Sequence, residues 1–188
     1  DFGISGTSLI RTPPLELTEL PKGSISKVRG WIDRCSIVDK LTLLCSIHPM
    51  DACKLTQEMS VRKSRTDRIV NVFIEEKHSF SPRLTDGGIS ISNQGAVRLN
   101  NLHKTAPPDF GKEESDEVFA GTPRVCIVDD AVPFVGLGRN VIHGYVSGAD
   151  SHIVPGQPCL VVNSEGSLVA HGIALSTSAE MSFFRKGI

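Results

Sequence analysis

The sequence is poor in aromatic side chains, with one Trp, one Tyr and eight Phe in 188 residues. Proteins that read single strands by stacking bases on rings carry more of them, so stacking is not the main mode of recognition expected here. Charge of one sign is lacking too. The net charge of −1 excludes a polyanion partner held by the overall field of the protein. No apolar run approaches the ~18 residues that span a bilayer. The opening stretch, DFGISGTSLIRTPP, has neither a basic start nor a sustained apolar segment. The expectation is a cytoplasmic protein with no membrane partner. Five cysteines (Cys35, Cys45, Cys53, Cys126, Cys159) are odd in number and lack framework spacing. Cys126 and Cys159 sit in apolar runs, as small buried hydrophobes do in a reducing compartment. There is no internal repeat and no low-complexity tract.

What is present is the composition of a globular protein, 39% hydrophobic and 22% charged. The charge is unevenly spread. Residues 1–108 carry 15 Lys/Arg against 11 Asp/Glu, and residues 109–188 carry 5 against 10. Five acids and one lysine fall in DFGKEESDEVFAG alone, residues 109–121. With the Pro-Pro pair before it, this stretch predicts a linker over 104–122, between an N-terminal α+β domain (1–103) and a C-terminal domain (123–188). If nucleic acid binds, it binds to a local patch.

The C-terminal part predicts a strand over 124–130 and a short helix in AVPFVGLG. A strand in NVIHGYVSG and two strands, PCLVV and SLVAHGIALS, joined by Asn-Ser-Glu-Gly complete the β pattern. Ser178 is expected to cap a final helix bearing Met181 and Phe184. Many short strands with frequent turns predict a small barrel, its core drawn from Val125, Ile127, Phe134, Val141, Leu160, Val162, Val169 and Phe184. Upstream, residues 25–59 mix a strand-like start with an apolar run broken at Pro49. VNVFIEEK (70–77) reads as one strand, and DGGISISNQGAVRLNNL as a turn, a strand and a helix capped by Asn93.

Several segments in order carry a resemblance. They are PFVGLGRNV, V-x-x-A-D-x-x-I-x-P-G-x-x-x-L-V-V-N at 146–163, G-x-L-V-A-x-G at 166–172, and S-x-E-M-x-x-F-x-x-G from Ser178 to Gly187. This part resembles a PUA domain, the RNA-binding pseudo-barrel, in the version at the end of archaeal tRNA-guanine transglycosylase and archaeosine synthase. DGGISISNQGAVRL (86–99) is similar to the segment that leads into it there. The resemblance implies an α+β N-terminal domain followed by a PUA-type β pseudo-barrel. It also implies binding of tRNA or another structured RNA, in the service of archaeosine-type tRNA modification. Two alternatives remain: a fragment or split subunit of the transglycosylase, and a protein–protein adaptor. Neither the catalytic aspartate in a large barrel nor the zinc site of that chemistry is recognisable in this sequence. The chain itself is therefore expected to be non-catalytic, without cofactor, and to serve a larger catalytic subunit; DNA is not an expected partner.

Candidate RNA contacts follow. Glycines let backbone approach a phosphate closely and arginine forks onto its oxygens, which singles out Gly136, Gly138, Arg139 and Asn140. A helix C-cap would use the same glycines. The segment lacks the third glycine and long helix of a dinucleotide fold. Arg185 and Lys186 could touch an acceptor stem or merely complement a helix end. Arg62, Lys63, Arg65 and Arg68 form the densest basic cluster, and a solvated loop would look the same. Cys35, Cys45, His48 and Cys53 lack a paired C-x-x-C, so no metal is expected there.

Overall fold

The computed structural model describes residues 25–103, 105–110 and 119–184. Helix α1 (Ile25–Cys45) replaces the strand-like start expected upstream. Its buried Ile37, Val38, Leu41 and Cys45 follow a helical rather than an alternating period. Ser46, at φ 52°, turns the chain out of it. Pro49 does not interrupt an element but opens one: it lies at the first turn of α2 (Pro49–Leu55), where its missing N–H costs nothing. His48 caps that helix, its Nδ1 accepting the Met50 N–H at 3.2 Å.

Four antiparallel strands follow in the order β1 (Met59–Lys63), β2 (Ile69–Ile74), β3 (Lys77–Pro82) and β4 (Ile89–Ile91). The single strand expected over 70–77 is a hairpin. Its turn residues, Glu75 and Glu76, hold φ of 50° and 63°, the left-handed conformation that Asn-Gly ordinarily signals. Helix α3 (Asn93–Asn100) is capped by Ser92, not Asn93: the Ser92 hydroxyl accepts the Gly95 N–H at 3.2 Å. A β-carbon on Gly95 would lie 2.2 Å from the Ser79 carbonyl, so glycine lets α3 rest directly on β3. Val72, Ile74, Phe80 and Ile89 from the sheet meet Ile37, Leu41 and Leu99 from the helices in the first core.

The second sheet runs β6 (Val146–Ala149), β5 (Arg124–Ile127), β7 (Pro158–Val162), β8 (Leu168–Ile173), with β5 parallel to β7 and the other pairs antiparallel. Helix α4 (Val132–Gly136) precedes β6, and α5 (Ser178–Phe184) follows β8. Residues 143–145, expected within a strand, form a 3₁₀ turn instead. The cap of α5 is one residue earlier than expected. Thr177 Oγ1 accepts the Glu180 N–H at 3.2 Å while Glu180 accepts the Thr177 N–H at 2.7 Å, a capping box.

The second core holds Val125, Ile127, Val135, Val146, Ile153, Val161 and Met181, with Val141 and Val169 half-buried against it. Phe134 and Phe184, expected inside, are 56% and 51% exposed; the two short helices turn Val135 and Met181 inward instead. Leu160 is fully buried but belongs to the first core, which Leu168 also joins. Strand β7 therefore serves both halves, its residues alternating between them.

The stretch expected as a linker is tied down at both ends. Buried Arg124 donates to the Thr105 carbonyl at 3.1 Å, to its hydroxyl at 2.9 Å and to the Ala106 carbonyl at 2.9 Å. Asp150 completes the knot, accepting the Arg124 N–H at 2.8 Å. His103 packs beneath, its Nε2 2.9 Å from the Thr122 carbonyl oxygen; burial, then the nearby Arg124 charge, pushes its pKa down to about 4. The acidic cluster Glu113–Glu117 lies outside the described residues. Among those described, no helix is long and apolar enough to cross a membrane.

Candidate nucleic-acid interface

The Gly-Leu-Gly-Arg-Asn segment closes α4 in a Schellman arrangement. Gly138 donates to the Val135 carbonyl at 2.9 Å and Arg139 to the Phe134 carbonyl at 3.2 Å. Gly138, at φ 87°, supplies the left-handed residue this ending requires. Gly136 is different. It lies at the end of the helix, needs no positive φ, and a β-carbon there would meet nothing within 4 Å. One glycine is thus explained by the backbone, and the other leaves a bare stretch of main chain at the surface. Arg139 and Asn140 are exposed beside it. No ion pair engages Arg139 among the described residues, so its guanidinium is available to an anion.

This loop separates two clefts. The larger, about 360 Å³, runs from Arg139 and Asn140 to His143, His171 and Met181. The smaller, about 300 Å³, lies between Gly136 and Gly138 on one side and Asn93, Val97 and β8 on the other. Both are more shape than charge. His143 Nε2 stands 3.2 Å from Ser176 Oγ, and its ring lies 5.4 Å from that of Phe184. Burial lowers the pKa of His171, whose Nε2 lies 2.8 Å from the Asn93 amide oxygen and donates to it. Leu175, at 87% exposure, flanks the larger cleft as an apolar shoulder, and Leu137, at 86%, is exposed in the loop itself. Such a surface can fit a backbone ridge and pin it with one cation.

The second basic candidate divides. Arg62 on β1, and Arg65 and Arg68 on the loop to β2, are exposed. Lys63 points the other way, into α1, and is spent on Asp33 at 2.9 Å and Asp67 at 3.3 Å. Its hydrogen bond to Asp33, against a smaller opposing effect of burial, holds its pKa above the usual lysine value. The loop is ordered by Ser64, whose hydroxyl accepts the N–H groups of Thr66 and Arg68 at 3.3 Å each. Arg185 and Lys186 lie outside the described residues. Cys45 is fully buried, its thiol pushed up to about 12, and the His48 ring is committed to its helix cap. Among the described residues no three His, Cys, Asp or Glu side chains converge as metal ligands. Sequence reasoning missed the polar outer face of the first sheet, where Asn71, His78 and Ser81 meet within 2.8–3.1 Å. The alternation of polar and apolar residues along these strands was its signal.

Comparison with known proteins agrees with this architecture. Residues 123–188 match the PUA domain family. The chain is 31% identical over 133 residues to the tRNA-guanine(15) transglycosylase of Methanosphaera stadtmanae, covering 69% of this chain and 17% of that protein. It is 27% identical over 168 residues to the corresponding protein of Methanothermobacter thermautotrophicus, covering 87% of this chain and 23% of that one. The chain thus spans less than a quarter of the length of these relatives. A crystal structure of a hypothetical protein from Pyrococcus horikoshii OT3 shares the fold. Its TM-score is 0.56 at 23% identity, covering 83% of this chain and 85% of that one. So does a PUA domain structure from Aeropyrum pernix K1, with a TM-score of 0.53 at 13% identity, covering 89% and 78%.

Proposed function

We propose, on the premise that residues 123–188 are a PUA domain, that this chain binds structured RNA, tRNA in the first instance, for a tRNA-guanine transglycosylase system. The observation that carries the reading is the capped end of α4. Gly136 bares main chain that nothing else in the fold requires to be bare, and Arg139 stands beside it with no ion pair among the described residues. A glycine without a side chain lets a phosphate come close, and a guanidinium fork suits its oxygens. The clefts on either side receive the flanks of a duplex by shape, the mode expected where the deep major groove hides base edges. Arg62, Arg65 and Arg68 add a second cationic stretch; Lys63 orders that hairpin from inside. The chain supplies recognition, and a larger catalytic chain supplies chemistry in a cytoplasmic setting.

A split enzyme is the second reading, and one fact favours it: the relatives devote more than three quarters of their length to what this chain does not match. Both readings require RNA binding. A tRNA gel shift at two salt concentrations tests it, with Arg139→Ala expected to weaken binding by about 1–3 kcal/mol. Unchanged affinity in folded Arg139→Ala would remove the loop from the interface. Co-purification with a larger chain, and guanine exchange into tRNA only when that chain is added, tests the division of labour.

A further inference from the structure

We infer that the outer face of the first sheet is a second RNA surface, one that takes an unpaired stretch of strand. This rests on the RNA-binding reading above but concerns a different part of the fold. Side chains alternate along each strand, so one face is buried against the helices and the other meets solvent. The register pairs Ser60 with Phe73, Phe73 with His78, Arg62 with Asn71, and Ser81 with Ser90. Two rows result on the solvent side. In one, the Phe73 and His78 rings lie 5.6 Å apart at 53°, with half-buried Phe73 facing the small Ser60 on the neighbouring strand. In the other, Arg62 stands beside Asn71, whose amide nitrogen is 3.0 Å from Ser81 Oγ. His78 Nε2 lies 2.8 Å from the same hydroxyl, so these polar groups are held in place before any ligand arrives.

Charge supports the choice of ligand. Arg62, Arg65 and Arg68 are exposed at one end of the strands, while the nearby Asp67 is held by Lys63. Glu58, Glu75 and Glu76 lie at the opposite end, and Glu75 is tied to Arg98 at 2.8 Å. A strand laid along this gradient would put its phosphates toward the arginines and a base over the rings. Only an unpaired base can do so, because bases in a duplex are already stacked on one another. The scarcity of aromatics across the whole chain does not count against this, since one ring pair suffices for one base. The PUA loop would then hold duplex and the first sheet an adjoining single-stranded loop or end.

The test uses the full chain and two fluorescent RNA probes, a mixed-sequence single strand and a blunt-ended hairpin duplex. Phe73→Leu keeps the apolar volume without the ring, and His78→Ala changes an exposed residue; each is expected to weaken single-strand binding about tenfold. Both should leave duplex binding within twofold, while Arg139→Ala does the reverse. If the wild-type chain binds duplex but not single strand, or if both variants bind single strand as wild type, this inference is wrong and the PUA reading stands. If the variants weaken both probes equally, the two surfaces are not separate and the inference fails as well. Binding of neither probe removes both readings. Should Phe73→Leu fail to fold, His78→Ala decides alone.

Discussion

Replacing Gly136 or Gly138 by alanine puts the same methyl group into one loop, two residues apart. At Gly138 the backbone sits at φ 87° and no neighbouring atom lies within 4 Å of the new β-carbon. The cost is therefore conformational alone, about 1–2 kcal/mol for an L-residue in the left-handed region. For a chain of this size each kcal/mol lowers the melting temperature by roughly 2–4 °C, so Gly138→Ala should melt about 2–8 °C below wild type. Gly136 has the same open space but no positive φ. Alanine there gains up to about 1 kcal/mol of helix propensity, less at a last turn, so the melting temperature should hold or rise slightly. In tRNA binding the order inverts. Gly136→Ala, the more stable protein, should bind less tightly because its methyl stands where a phosphate approaches. Differential scanning calorimetry and a tRNA titration on both proteins measure the two effects. Gly138→Ala as stable as wild type would refute the Schellman argument, and Gly136→Ala binding tRNA undiminished would refute close backbone approach.

Buried His103, with its pKa lowered from 6.5 to about 4, must be neutral in the fold. Its contribution is present above pH 6.5 and is lost as the pH falls from there to 4, on the order of 3 kcal/mol in all. Urea midpoints at pH 7 and 4.5 should therefore converge in His103→Gln relative to wild type. Glu76 at φ 63° is strained, and Glu76→Gly should stabilise the chain by about 1 kcal/mol in chemical denaturation. Leu160→Ala should cost about 2–5 kcal/mol and shift the unfolding transition seen by Trp31 fluorescence, although Trp31 lies in the other half; an unmoved Trp31 transition would contradict a shared core.

Legibility in the sequence followed the range of the interactions involved. The turn and strand signals of the second sheet were readable because Asn163, Gly156 and Gly166 do local work: Asn163 Oδ1 accepts the Glu165 and Ser167 N–H groups at 3.1 and 2.8 Å. The hairpin at Glu75-Glu76 was hidden because tertiary support, including the Arg98 ion pair, substitutes for turn chemistry. Helix α1 was obscured by its mixed composition, and its buried face emerges only once the sheet gives that face something to cover. Val135 and Phe134 were exchanged because a five-residue helix has too few turns to define a face. In the candidate interface, the glycine and arginine of the loop were legible. The fate of Lys63 was not, since Asp33 lies thirty residues away along the chain.

Strand β7 has a consequence for inheritance. Its Leu160 belongs to the first core and its Val161 to the second, so cutting the halves apart would bare apolar surface on this strand. A recombination event that moved residues 123–188 to a new host would carry an oily stripe, Leu160 with Leu168, and the recipient would have to furnish a helix-backed sheet to cover it. Such a segment travels as a pair with its neighbour or acquires a substitute neighbour. The matches to the transglycosylases reach back across the joint, over up to 87% of this chain, as expected for two halves that diverge together.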